Sequence, residues 1–133
     1  MLKITEEVYN TLIEHVKKEY PNEACGFLAG EEAGLATVIF PMRNIDESPI
    51  HFTMEPKEQF NVLREAIKRG VKLTVCYHSH PATPARPSQE DLLELTDPKL
   101  SYIIVSLANK EAKLKSFKIK GGAAEEEEIE VIR

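Results

Sequence analysis

Val71-Lys72-Leu73-Thr74-Val75-Cys76-Tyr77-His78-Ser79-His80-Pro81, followed a short way on by Ser88-Gln89-Glu90-Asp91, is the stretch on which the reading of this chain turns. The apolar and β-branched residues from Val71 to Tyr77 predict a strand that carries the two histidines. Side chains repeat every two residues on a strand, so His78 and His80 project from one face, where two imidazole nitrogens can reach a single ion. Leu73 and Val75 are assigned to the opposite face. Pro81 ends strand pairing, and Thr83, Pro84 and Pro87 predict a stiff, non-helical connection. Ser88 then reads as a helix N-cap with an acidic residue three positions on, ahead of Leu92, Leu93 and Leu95. Folded back by the loop, Asp91 can supply a third ligand. Three protein ligands leave one coordination position for water, the arrangement that separates catalytic zinc from closed structural sites.

Each half of this pattern has an ordinary reading when it stands alone. His-x-His occurs as an incidental pair in strands, and Ser-x-x-Asp is a common cap. Together they form His-Ser-His-Pro, then Ser88, then Asp91, a spacing that resembles the signature of the JAMM (MPN+) metalloproteases, the Mov34/MPN/PAD-1 family. Pro21-Asn22-Glu23-Ala24-Cys25-Gly26-Phe27-Leu28-Ala29-Gly30 is similar to that family's glutamate-bearing segment, where a helix end runs into a strand.

The resemblance covers nearly the whole chain, and its implications are specific. It implies an α/β fold with a central mixed β-sheet flanked by helices, of the MPN type and similar in layout to cytidine deaminases. It implies one Zn²⁺ per chain on His78, His80 and Asp91, with Glu23 as general acid/base and Ser88 helping to stabilise the reaction intermediate. It further implies hydrolysis of an amide after the C-terminal Gly-Gly of a small ubiquitin-like or sulfur-carrier protein, with two alternatives: an isopeptidase acting on lysine-linked conjugates, and a catalytically silent MPN scaffold. Only Leu92 to Lys99 follows Asp91 before the next strand, where deubiquitinating relatives carry a long insertion, so a compact enzyme for small substrates is favoured. Silent relatives lose ligands; this chain keeps all five residues. One departure is visible: Val75-Cys76-Tyr77 stands where the family often has Gly-Trp-Tyr. Cys76 shares the parity of the histidines, so it is either a small buried residue beneath them or a fourth ligand that would close the site.

Rival metal motifs fail on the same residues. A cupin-type pattern would need an acid where Ala85 stands, and an amidohydrolase needs a barrel of about 250 residues against the 133 present here. Length therefore predicts one domain, residues 1–133, around a single core. Net charge is −5, and no Lys/Arg cluster interleaved with aromatics occurs, so no nucleic-acid partner is expected. There is no apolar run of membrane-spanning length and no signal-peptide pattern, so no membrane partner is expected, and a cytoplasmic protein is. Cys25 and Cys76 make no disulfide framework, which agrees with a reducing compartment. A homodimer is carried as a further expectation.

Elsewhere, Thr5 is predicted to cap a helix to about Glu19 with Val8, Leu12, Ile13 and Val16 on one face, closed by Pro21. Strands are predicted over about 24–30 and 36–42, and a short one over His51 to Pro56. Pro56 opens a helix in which Phe60, Leu63 and Ile67 form a stripe, ended by Gly70. Two more strands, Leu100 to Leu107 and Ala112 to Ile119, are joined across Asn109-Lys110. Residues 121–128 are read as a turn and a solvated acidic segment, after which Ile129, Val131 and Ile132 can pair as an edge strand. Gly121-Gly122 is read as a turn rather than a ubiquitin-like tail. His15 and His51 lack ligand spacing and are read as ordinary surface or strand residues.

Overall fold

The computed structural model describes residues 1–133. In chain order the elements are β1 (Leu2–Thr5), α1 (Glu6–Glu19), β2 (Cys25–Gly30), β3 (Leu35–Ala36), β4 (Val38–Met42), α2 (Pro56–Lys68), β5 (Lys72–His80), α3 (Gln89–Glu94), β6 (Ser101–Ser106), β7 (Lys113–Lys120), β8 (Ala123–Glu127) and β9 (Ile129–Ile132). Six strands form the main sheet in the order β4-β2-β5-β6-β7-β8, and a smaller sheet has the order β3-β1-β9. β5 and β6 run parallel while the other neighbours in the main sheet are antiparallel. The expected central mixed sheet with flanking helices is therefore present.

β5 lies inside the sheet and divides two cores. Val75 and Tyr77 face α1 and β1, with Leu12, Val16 and Leu28. Cys76 faces the other way, with Met54, Val62, Ala66 and Ile104. Leu73 does not share the face of Val75, as simple alternation predicts. β2 advances one residue, from Leu28 to Ala29, while β5 advances two, from Val75 to Leu73. The extra residue, Thr74, is a bulge that flips strand parity below it, so Leu73 packs on the side of Cys76.

α1 starts where the cap predicts: the Thr5 side chain accepts from the Val8 amide, and Val8, Leu12 and Val16 are buried. Its docking depends on a close approach. The Tyr77 ring lies across Gly26, its cross-strand partner, and a Cβ at Gly26 would sit 2.5 Å from that ring. Beyond Gly26 the Tyr77 hydroxyl meets Nδ1 of His15 at 2.7 Å. His15 is thus a largely buried helix-docking residue rather than an ordinary surface one, and burial pulls its pKa down.

Three further expectations change. The Phe60, Leu63 and Ile67 side chains of α2 are 60%, 46% and 69% exposed, while Val62 and Ala66 are buried. Small side chains let the helix lie close to β5, and the larger apolar stripe is left to solvent. His51 to Pro56 forms no strand; it contributes only an isolated bridge from Met54 to Asn44. The residues ahead of the Thr5 cap, for which the sequence predicts no element, form a strand that pairs parallel with β9 from Leu2↔Ile129 to Thr5↔Ile132. Gly121 and Gly122, with φ of 59° and 77°, make the turn into β8. Glu125 and Glu126 are exposed and Glu127 is half-buried, and all three pair in register with β7 rather than forming a free solvated segment.

Candidate metal centre

His78 and His80 occupy the last turns of the pleat at the carboxyl end of β5, the end of an α/β strand where ligands characteristically sit. Both are buried. Their rings meet with Nε2 to Nε2 at 3.1 Å. The loop after Pro81 returns the chain to them, held by the Ser106 hydroxyl donating to the Thr83 carbonyl at 2.6 Å. α3 then begins with a full capping box: the Asp91 amide donates to Ser88 Oγ at 3.0 Å, and the Ser88 amide donates to Asp91 Oδ2 at 2.9 Å. That reciprocal pair aims Asp91. Its Oδ2 lies 3.1 Å from both imidazole Nε2 atoms.

Three ligand atoms therefore make a nearly equilateral triangle. A tetrahedral ion with bonds of 2.0–2.2 Å spreads its ligands to edges of about 3.3–3.5 Å, so the triangle can hold such an ion with a few tenths of an ångström of relaxation. Protonation agrees. His80 Nδ1 is 2.9 Å from the Pro84 carbonyl oxygen, which only accepts, so Nδ1 carries a hydrogen in either protonation state; the protonated ring also donates from Nε2 to Asp91, and the neutral ring offers the Nε2 lone pair to an ion. His78 Nδ1 has no partner and is the one orphaned buried side-chain polar atom. Its ring is held by packing instead, stacked on Phe52 at 4.9 Å and 28°.

The electrostatics are those of groups waiting for a cation. Burial pulls His78 down, against the pull of Asp91. Burial also acts to lower His80, but hydrogen bonds with Asp91 and Pro84 outweigh it and the net shift is upward. For Asp91, burial acts upward yet is overcome by the hydrogen bonds from His78 and His80, which hold the carboxyl well below the usual range. Glu23, 5% exposed, is lifted from 4.5 to about 8 chiefly by burial, with His80 opposing and Asp91 and Glu90 adding to the rise.

Cys76 is not in the group of converging ligand atoms, which comprises His78, His80 and Asp91. It is buried beneath them and its thiol, like that of Cys25, is pushed up to about 12 by burial, so both stay protonated. Of the expected residues, the structure brings His78, His80 and Asp91 together and places Ser88 against Asp91. His51 stays outside, paired with Asp46 at 3.0 Å. Phe52 and Asn44 carry no local pattern that marks them, because their partners come from distant segments; Ser79 stands inside the His-Ser-His-Pro motif, but its partner Ala24 is 55 residues away.

The family described as prokaryotic homologs of the JAB domain matches residues 5–120. The chain belongs to that family. Among similar proteins, the CysO-cysteine peptidase of Mycobacterium tuberculosis is 34% identical over 134 residues, covering 99% of this chain and 92% of that protein. The desampylase of Pyrococcus furiosus is 37% identical over 84 residues, 63% of this chain and 59% of the relative. A solved structure described as JAMM, a metalloprotease-like zinc site in the proteasome and signalosome, superposes with a TM-score of 0.65 at 25% identity, covering 100% of this chain and 99% of that one. The protein is thus a small prokaryotic-type JAMM peptidase. No helix in it is long and apolar enough to cross a membrane.

Proposed function

We propose that this JAMM chain is a zinc-dependent metallopeptidase that cleaves the amide after the C-terminal Gly-Gly of a small ubiquitin-like or sulfur-carrier protein. The observation that carries the metal assignment is the convergence of His78 Nε2, His80 Nε2 and Asp91 Oδ2 at 3.1 Å, with the His80 proton committed elsewhere. One zinc per chain is assigned to these three residues. When bound, zinc supplies Lewis-acid polarisation and lowers the pKa of a water from 15.7 to about 7.

The chain's own residues do the rest. Glu23 accepts a proton on its carboxylate from the attacking water and returns it to the leaving amine, a contribution typically of about 10²–10⁴ in rate. Burial lifts this carboxyl to about 8 in the metal-free chain, and a bound cation would draw it back down, leaving a carboxylate basic enough to take a proton and return it. Ser88 Oγ uses a lone pair to cap α3, so its own hydrogen remains available to an oxygen of the substrate. Phe52 and Cys76 wall a cavity of about 280 Å³ with Met54, Leu95 and Leu100, which gives an extended tail an apolar approach beside His78.

The substrate class is supported by the names of the relatives, a CysO-cysteine peptidase and a desampylase. Two glycines suit a narrow cleft because nothing branches from their Cα atoms. The test incubates zinc-loaded protein with carrier proteins extended beyond Gly-Gly, with lysine-linked conjugates and with unrelated peptides, read by mass spectrometry. Cleavage directly after Gly-Gly of the extended carriers is expected. Preferential cleavage of unrelated peptides would sink the substrate assignment, and cleavage of lysine-linked conjugates alone would replace it with an isopeptidase.

A further inference from the structure

Glu23 can serve the metal centre only if its backbone is fixed, and the protein fixes it at four points. The Glu23 amide donates to the Ser48 carbonyl at 2.8 Å. The Glu23 carbonyl accepts from Asn44 Nδ2 at 3.1 Å. The next residue is clamped twice by Ser79: the Ala24 amide donates to Ser79 Oγ at 2.8 Å, and the Ser79 amide donates to the Ala24 carbonyl at 3.0 Å. Every backbone polar atom of Glu23 and Ala24 is thereby engaged, and two of the four bonds come from side chains.

Asn44 is buried and uses its whole hydrogen-bonding capacity. Nδ2 donates to the Glu23 and His51 carbonyls, the second at 3.0 Å. Oδ1 accepts from the amides of Asp46 and Thr53, both at 3.1 Å. Two carbonyls on one side and two amides on the other fix which way the side-chain amide points. One neutral group thus joins Glu23 to the segment 44–53, whose Phe52 stacks on His78. Ser79 makes the equivalent link from the opposite direction, lying between the two histidines on the other face of β5.

We propose that Asn44 and Ser79 are positioning residues that act on the reaction through Glu23, setting its carboxyl relative to the His78–His80–Asp91 triangle. This rests on the reading of Glu23 as general acid/base. A carboxylate at position 44 would face two carbonyl oxygens, and an alanine at 79 would leave the Ala24 amide without its acceptor, so the residue types follow from the groups they serve.

The test is a double-mutant cycle on the zinc-loaded full chain, with a carrier extended beyond Gly-Gly as substrate, joined to amide hydrogen exchange on the zinc-free protein. Displacing a catalytic group by about 1 Å costs on the order of 10²-fold in rate, so Asn44→Ala and Ser79→Ala are each expected to lower kcat by about that factor. KM should stay within about twofold and zinc content should not change. In a Glu23→Gln background the same substitutions should cost less than about twofold, because residues acting through one group are not additive. Ser79→Thr, which keeps the hydroxyl, should recover most of the rate. Exchange should quicken at the Ala24 amide in Ser79→Ala and at the Thr53 amide in Asn44→Ala. A full loss in the Glu23→Gln background, loss of zinc together with kcat, or unchanged exchange at both amides would overturn the proposal. A Glu23→Gln enzyme as fast as the parent would instead overturn the general-base assignment, and the exchange results would still decide whether Asn44 and Ser79 hold this segment.

Discussion

Replacing Glu23 by glutamine should stabilise the zinc-free protein while removing its catalysis, and the size of the gain should depend on pH. Burial lifts the Glu23 carboxyl from 4.5 to about 8. A raised folded-state pKa means that the folded chain holds a proton the unfolded chain has released. The associated stability is complete below pH 4.5 and is lost as pH rises toward 8, at up to about 1.4 kcal/mol per pH unit. By pH 7 the loss amounts to about 3 kcal/mol. Glutamine has the same shape and no charge to bury, and no hydrogen bond contributes to the Glu23 shift, so the substitution removes only the attraction of His80, which burial already outweighs.

Urea unfolding of chelator-treated parent and Glu23→Gln, run from pH 4 to pH 8, measures this difference. The two should agree near pH 4 and separate by about 3 kcal/mol at pH 7, with the variant more stable. In melting temperature that corresponds to roughly 10 °C for a chain of this size. Adding zinc should narrow the gap, because a nearby cation favours the carboxylate and draws the Glu23 pKa back down. Parallel stability curves across this pH range would show that Glu23 is not held in a desolvated position, and the argument for a proton-holding group beside the metal ligands would fail with it.

Other substitutions separate binding, capping and packing. His80→Ala and Asp91→Ala should each remove most of the zinc found by metal analysis of the purified protein; full occupancy in either would refute the ligand assignment. Ser88→Ala removes an N-cap worth about 0.5–2 kcal/mol and should lower both melting temperature and rate, whereas an unchanged rate would leave Ser88 a cap alone. Gly26→Ala forces a methyl group to within 2.5 Å of the Tyr77 ring and should destabilise the fold by about 1–3 kcal/mol. Zinc content of the folded fraction should be unaffected, and a melting temperature equal to the parent's would show that the ring moves freely.

What could be read from the sequence was whatever depends on neighbours a few residues away. His78 and His80 share a face because strand parity is a two-residue rule, and Ser88 and Asp91 cap a helix because the capping box spans four residues. Longer reach defeated the same rules. A bulge at Thr74 reversed the parity of Leu73, and only the pairing with β2 reveals it. β1 was hidden because it pairs with β9, at the far end of the chain. In α2, periodicity located a helix but could not tell which face would pack; the smaller Val62 and Ala66 permit the close approach that Phe60 and Ile67 would prevent. Asn44 carries no motif, since its four partners become adjacent only after the 44–53 segment has folded over the site.

The alternation of β5 also explains how one short segment can present the candidate metal ligands and hold the fold together without the two demands colliding. His78 and His80 turn toward α3 and meet Asp91, while Tyr77 and Ser79 turn the other way. Tyr77 docks α1 through His15, and Ser79 fastens Ala24. Ligand geometry and backbone anchoring are therefore set by alternate residues of a single rigid strand, so a shift of β5 would move the metal ligands and the Glu23 anchor together. Independent loops would let those distances drift separately. A central strand with paired neighbours on both sides keeps them coupled, which is the condition that the proposed general acid/base would have to meet beside the three candidate ligands.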